Sequence, residues 1–131
     1  MKINNERRSE QRLHYYWPIW FAEDFDGELS QGQMLDISSR GAAFTCYVDD
    51  SCPYQGQQIT ARFSVPCFGP NDSFDMANFT REANICRVDE MNNFVRRVAI
   101  QFAEPLPFKP GEQTYSETES DVQKELNSVT T

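Results

Sequence analysis

The sequence predicts an all-β domain, an antiparallel barrel or sandwich of six short strands. Three observations carry that expectation. Hydrophobic residues alternate with period 2 in several runs, and turn-forming clusters separate those runs at regular spacing. The chain is also rich in aromatic β-formers, with 10 Phe, 5 Tyr and 2 Trp.

Residues 1–13 are polar and charged without a hydrophobic period and read as a flexible arm. The string HYYWPIWFAE over 14–23 reads as the first strand, with Trp17, Ile19 and Phe21 on one face. Pro18 on the other face fits an edge or a bulge, and Asp24-Phe25-Asp26-Gly27 supplies the turn. A second strand is expected over 28–37. Gly41 opens a third, in which Ala42, Phe44, Cys46 and Val48 face one way. Residues 49–56 are turn-rich. The fourth strand, 58–65, alternates cleanly, with Ile59, Ala61, Phe63 and Val65 on its buried side, and Pro66 is expected to stop it. Residues 66–79 read as a long loop. Strands over 80–88 and 94–103 then form a hairpin across 89–93, with Val98, Ile100 and Phe102 inward. Pro105, Pro107 and Pro110 end the sheet. The domain thus spans 14–108. Residues 109–131 form an acidic, Ser/Thr-rich tail, expected to be largely mobile, with one short helix over 120–126.

At 131 residues the chain is one domain, long enough to bury roughly two-thirds of the surface it exposes when unfolded. No apolar run approaches the ~20 residues of a membrane helix, and no secretory signal precedes the domain, so membrane insertion is not expected and the cytoplasm is. The net charge of −8 argues against nonspecific nucleic-acid binding. Its distribution is uneven. Residues 1–13 carry a net +2 from Lys2, Arg7, Arg8 and Arg12 against Glu6 and Glu10, while residues 111–131 carry −4. A positive head on a negative body suits a small anion held at one place. Cys46, Cys52, Cys67 and Cys86 lack metal-site spacing and read as reduced thiols, some filling the core, with zinc or disulfides as the other readings. The lone His14 has no patterned acid or nucleophile beside it, so no enzyme is expected.

Two strings carry chemistry. Arg7-Arg8-Ser9-Glu10-Gln11-Arg12 reads R-R-x-x-x-R, and Asp36-Ile37-Ser38-Ser39-Arg40-Gly41 reads D-x-S-x-x-G. At background usage the first spacing occurs by chance in roughly a third of chains this long and the second in roughly one in twenty. The bland reading is a solvated arm followed by an Asx-turn with Gly41 at positive φ. The functional reading is a grip for a guanine nucleotide. Arg donates two parallel hydrogen bonds to phosphate and stacks on purines. Asp36 can accept from the N1–H and N2–H₂ donors of guanine, and Ser38, two positions on, faces the same way. Gly41, lacking a Cβ, lets the ligand approach closely. Glu10 places a negative charge among the arginines and is expected to weaken phosphate attraction modestly.

Together the two strings resemble the PilZ domain family of bacterial cyclic di-GMP receptors, and the resemblance runs from Arg7 to about Phe108. It implies a six-stranded antiparallel β-barrel, a Greek-key or split barrel, often with a C-terminal helix. It implies that Arg8 and Arg12 hold phosphates and guanine faces while Asp36, Ser38 and Gly41 line the guanine pocket. Arg7, just before R-x-x-x-R, implies an intercalated pair of ligand molecules, and Arg87 near the end of a late strand could stack on a guanine. It further implies a receptor without a resident cofactor that orders its arm over the ligand and signals to a protein effector in motility, pilus or polysaccharide machinery. Ordering residues 7–12 costs on the order of 6–12 kcal/mol if they are disordered when free. Three charge-assisted arginine contacts at ~1.5–3 kcal/mol each do not meet that alone. Stacking and the Asp36–Ser38 grip are needed as well. Two rivals stand beside this reading. One is a PilZ-like adaptor that binds a protein but no nucleotide. The other is an OB-like barrel stacking single strands on Tyr15, Trp20 and Phe79, which the acidic charge disfavours.

Overall fold

The computed structural model describes residues 10–68 and 74–113, and among them the protein is built almost entirely of antiparallel strands. In chain order these are β1 Leu13–His14, β2 Pro18–Ala22, β3 Ser30–Ile37, β4 Gly41–Tyr47, β5 Gln58–Phe68, β6 Phe74–Glu90 and β7 Val95–Phe102. They pair in the order β1-β3-β2-β5-β6-β7-β4, and β4 pairs back onto β3. Strands β2 to β7 therefore close a six-stranded barrel, with β1 as an extra strand on β3. Closure gives every barrel strand a strand partner on both sides over part of its length.

The alternating residues fill the interior as the period requires. Ile19, Met34, Ile37, Phe44, Val65, Ile85 and Val98 are all buried to under 2 % exposure. Each such burial stabilises the fold by about 1.5–3 kcal/mol. Phe63 stacks on Phe102 with ring centroids 5.3 Å apart and meets Phe79 at 6.1 Å, while Phe21 lies 5.1 Å from Phe44.

The first expected strand is two pieces laid end to end on β3. Leu13 and His14 pair with Ile37 and Asp36, and residues 18–21 pair with 30–33. Between them the chain leaves regular pairing opposite a bulge between Met34 and Asp36. The interruption takes Trp17 off the face it is expected to share with Ile19 and Phe21, both of which are buried. Trp17 is 48 % exposed, not in the core, while Tyr15 turns inward and donates from its hydroxyl to the Ser64 carbonyl at 2.9 Å. Burial pushes the Tyr15 phenol above its ordinary pKa. With Tyr15 inside and Phe79 packed on the core, the aromatic platform of the OB-like rival is not present.

Pro66 does not stop β5, and of the long loop expected over 66–79, residues 66–68 and 74–79 are strand while 69–73 lie outside the described residues. β5 and β6 pair without a break from Gln58–Asn84 to Phe68–Phe74. β2 contacts β5 only at residues 60–63, so beyond Phe63 the other edge of β5 carries no strand, and a proline is tolerated there. Val48 falls just past the end of β4 and is exposed.

The tail begins ordered. Pro110–Glu112 form a 3-10 turn. Buried Gln113 accepts from the Phe68 amide at 2.8 Å and donates to the carbonyls of Pro66 at 2.8 Å and Pro110 at 3.1 Å. The expected helix over 120–126 lies outside the described residues, as do Arg7 and Arg8 of the arm. No helix among the described residues is long and apolar enough to cross a membrane.

Candidate functional site

Asp36 sits near the end of β3, in the register row that crosses four strands. It pairs with Ala43 on β4, Ala43 with Ala99 on β7, and Ala99 with Arg87 on β6. The neighbouring row, Ile37–Ala42–Ile100–Ile85, faces the core, so the Asp36 row faces outward. A second outward row carries Gln33, Thr45, Arg97 and Asp89. The result is a strip of outer wall floored by small residues, Ala43 and Ala99, with charged groups at both ends. At ~4.8 Å per strand it is ~14 Å from Asp36 to Arg87.

At one end Asp36 is only 7 % exposed and is held by two guanidiniums. Arg12 donates from Nη1 to Oδ1 at 2.7 Å, and Arg97 Nη2 lies 3.7 Å from Oδ2. Arg12 Nε is buried with no hydrogen-bond partner among the described residues. A buried donor left without an acceptor costs about 1–3 kcal/mol, so this guanidinium keeps unused hydrogen-bonding capacity.

The turn after β3 is held from several sides. The Ser38 amide donates to the Gly41 carbonyl at 2.8 Å, and the Ser38 hydroxyl lies 3.4 Å from that carbonyl and 3.3 Å from the Arg40 amide. Leu106 and Phe102 donate from their amides to the carbonyls of Ser39 and Arg40 at 2.7 and 2.8 Å. Glu10 accepts from the Ser39 amide and from the Ser39 hydroxyl, each at 2.7 Å.

Of the residues singled out from the sequence, Arg12, Asp36, Ser38 and Gly41 come together here. Two of their expected roles change. Gly41 does not have positive φ; among the described residues Gly56 does. The missing Cβ of Gly41 faces the Ile100 carbonyl of β7, so it makes room for a neighbouring strand. Glu10 is not a loose charge among the arginines but a bidentate anchor on Ser39. Arg87 stands at the far end of the strip, exposed and paired with Asp89 at 2.9 Å, an exposed contact worth little energetically. Sequence reasoning missed Glu10, Ser39 and Arg97. The inward alternation of Val98 and Ile100 did imply that Arg97 points out, but not that it meets Asp36 from two strands away.

A family model for the PilZ domain matches residues 6–114. The chain belongs to the PilZ domain family. That family consists of receptor and adaptor domains associated with cyclic di-GMP and generally without enzymatic activity. Among solved structures, the Bacillus subtilis inhibitor of motility (MotI/DgrA) is similar in fold. It is 16 % identical, with a TM-score of 0.57 over 77 % of this chain, which spans 44 % of the length of that one. None of the curated proteins matches the chain.

Proposed function

We propose that this PilZ protein is a cyclic di-GMP receptor that closes its arginine arm over the dinucleotide and signals through a protein effector. The observation that carries the reading is the Arg12–Asp36–Arg97 cluster, with a buried Arg12 Nε that lacks an acceptor among the described residues. A phosphate oxygen supplies that acceptor. In exchange, the guanine edge offers N1–H and N2–H₂ to the Asp36 carboxylate as Arg12 swings from the acid to the phosphate. Charge is conserved in the swap, since a guanidinium leaves the carboxylate only to meet another anion. Arg7 and Arg8 close from the other side, and Arg87 is available to stack on a base at the far end of the strip.

One observation favours a second reading, the nucleotide-free adaptor. Both Asp36 oxygens already have cationic partners, and the Ser38 hydroxyl is close to polar groups of its own turn. A structural role for the strings would look the same. Calorimetric titration of the full chain with cyclic di-GMP separates the two. Saturable heat, with one or two ligands per chain, supports the receptor. Absence of heat at high micromolar ligand would falsify it and leave the adaptor.

A further inference from the structure

Residues 10 and 11, at the end of the arm nearest the barrel, are docked from two sides. Glu10 spans the amide and hydroxyl of buried Ser39 with two hydrogen bonds of 2.7 Å. On its other side the Gln11 amide donates to the Glu112 carboxylate at 2.5 Å. Gly111 sits so close that a Cβ there would lie 2.5 Å from the Gln11 carbonyl oxygen and 2.7 Å from the Arg12 carbonyl carbon. Residues 10–12 thus run between the D-x-S-x-x-G turn and the Pro110–Glu112 turn, and the next two residues pair with β3.

We propose that Glu10 is a positioning residue for ligand binding: its bond to Ser39 fixes the arm before the ligand arrives and so raises affinity. This rests on the receptor reading above and goes beyond it. Electrostatics alone predicts the opposite sign, since an acid beside a dianionic ligand should weaken binding and its removal should tighten it. Preorganisation outweighs that repulsion because each backbone residue ordered at binding is costly, whereas residues already fixed by folding add nothing to that cost. Glu10 is also poorly placed to repel, because both its oxygens are turned onto Ser39.

The test compares cyclic di-GMP affinity of the full chain by calorimetry for wild type, Glu10→Ala, Glu10→Gln and Ser39→Ala, with amide exchange of Ser39 in the free proteins. Glu10→Ala is expected to bind roughly tenfold or more weakly despite losing a negative charge. Glu10→Gln rescues: its amide oxygen can accept from the Ser39 amide and its amide nitrogen can donate to the Ser39 hydroxyl, so binding equals or exceeds wild type. Ser39→Ala weakens binding with no change of charge, and adding Glu10→Ala to it costs less than Glu10→Ala alone. The Ser39 amide exchanges slowly in wild type and faster in Glu10→Ala. Glu10→Ala binding as tightly as wild type, or more tightly, overturns the proposal. If wild type itself gives no heat, the receptor reading and the affinity effect fall together. Ser39 exchange that quickens in Glu10→Ala would in that case mark the anchor as structural only.

Discussion

Replacing Gly41 by alanine should unfold the barrel more readily while leaving the ligand grip in place. A Cβ at this position would collide with the Ile100 carbonyl oxygen and come within 3.5 Å of Gln101 Cα, both backbone atoms of β7 that cannot rotate away. Gly41 pairs directly with Gln101, at the first rung of the seven that join β4 to β7, so relief requires that rung to part. Overpacking of this kind costs about 1–3 kcal/mol. The alanine recovers about 0.4–1 kcal/mol by restricting the unfolded chain. The net loss is about 1–2 kcal/mol, which lowers Tm by roughly 3–10 °C for a domain of this size. Thermal unfolding by circular dichroism measures the first effect, and cyclic di-GMP calorimetry well below Tm measures the second. A Tm within about 1 °C of wild type together with a tenfold loss of affinity would mean that Gly41 serves the ligand, and the strand-packing argument would be wrong.

Arg12→Lys keeps the charge on Asp36 but loses the planar fork, so calorimetry should register about a tenfold or greater weakening of cyclic di-GMP; binding equal to wild type would rule out bidentate phosphate recognition. Burial and the adjacent Cys52 push the Cys46 thiol from about 9 up to about 12. At pH 8 the thiolate fraction is then ~1 in 10⁴, and mass spectrometry after brief alkylation should find exposed Cys86 modified well before Cys46; the reverse order would contradict the buried placement. The folded state keeps that proton where the unfolded chain gives it up. The Cys46 contribution to stability is therefore full below about pH 9 and lost progressively as pH climbs toward 12, readable as a falling urea midpoint. Gln113→Ala removes a buried amide that bridges β5 and the Pro110 turn and should cost about 1–3 kcal/mol. An unchanged melting curve would show that the tail's first residues contribute nothing to the fold.

The barrel was legible wherever one face is buried along a whole strand. The alternation in β4, β5 and β7 placed Phe44, Phe63 and Ile100 correctly because period 2 is itself the signature of a half-buried strand. Legibility failed where the deciding partner is distant in sequence. Pro66 looked like a terminator because nothing local says that the other edge of β5 carries no strand past Phe63. Trp17 looked like core because the break before β2 depends on a bulge in β3. The same holds at the site. Asp36, Ser38 and Arg12 were readable from their spacing, whereas Arg97 reaches Asp36 only through the pairing of β4 with both β3 and β7. Glu10 reads from the sequence as a charge among arginines because its local neighbours are all that spacing shows, whereas its hydrogen-bond partner, Ser39, lies 29 residues away.

Strand β3 carries three partners: β2 along its first half, the short β1 along its second, and β4 along the opposite edge. The seam that shuts the cylinder is therefore the ledge on which the arm rests, and a breathing motion that parts β3 from β4 would dismantle the acidic cradle in the same stroke. Anything clasped there acts as a rivet through the closure. Occupancy should register as a stiffer wall, felt around the circumference, rather than as a change confined to the mouth of the site.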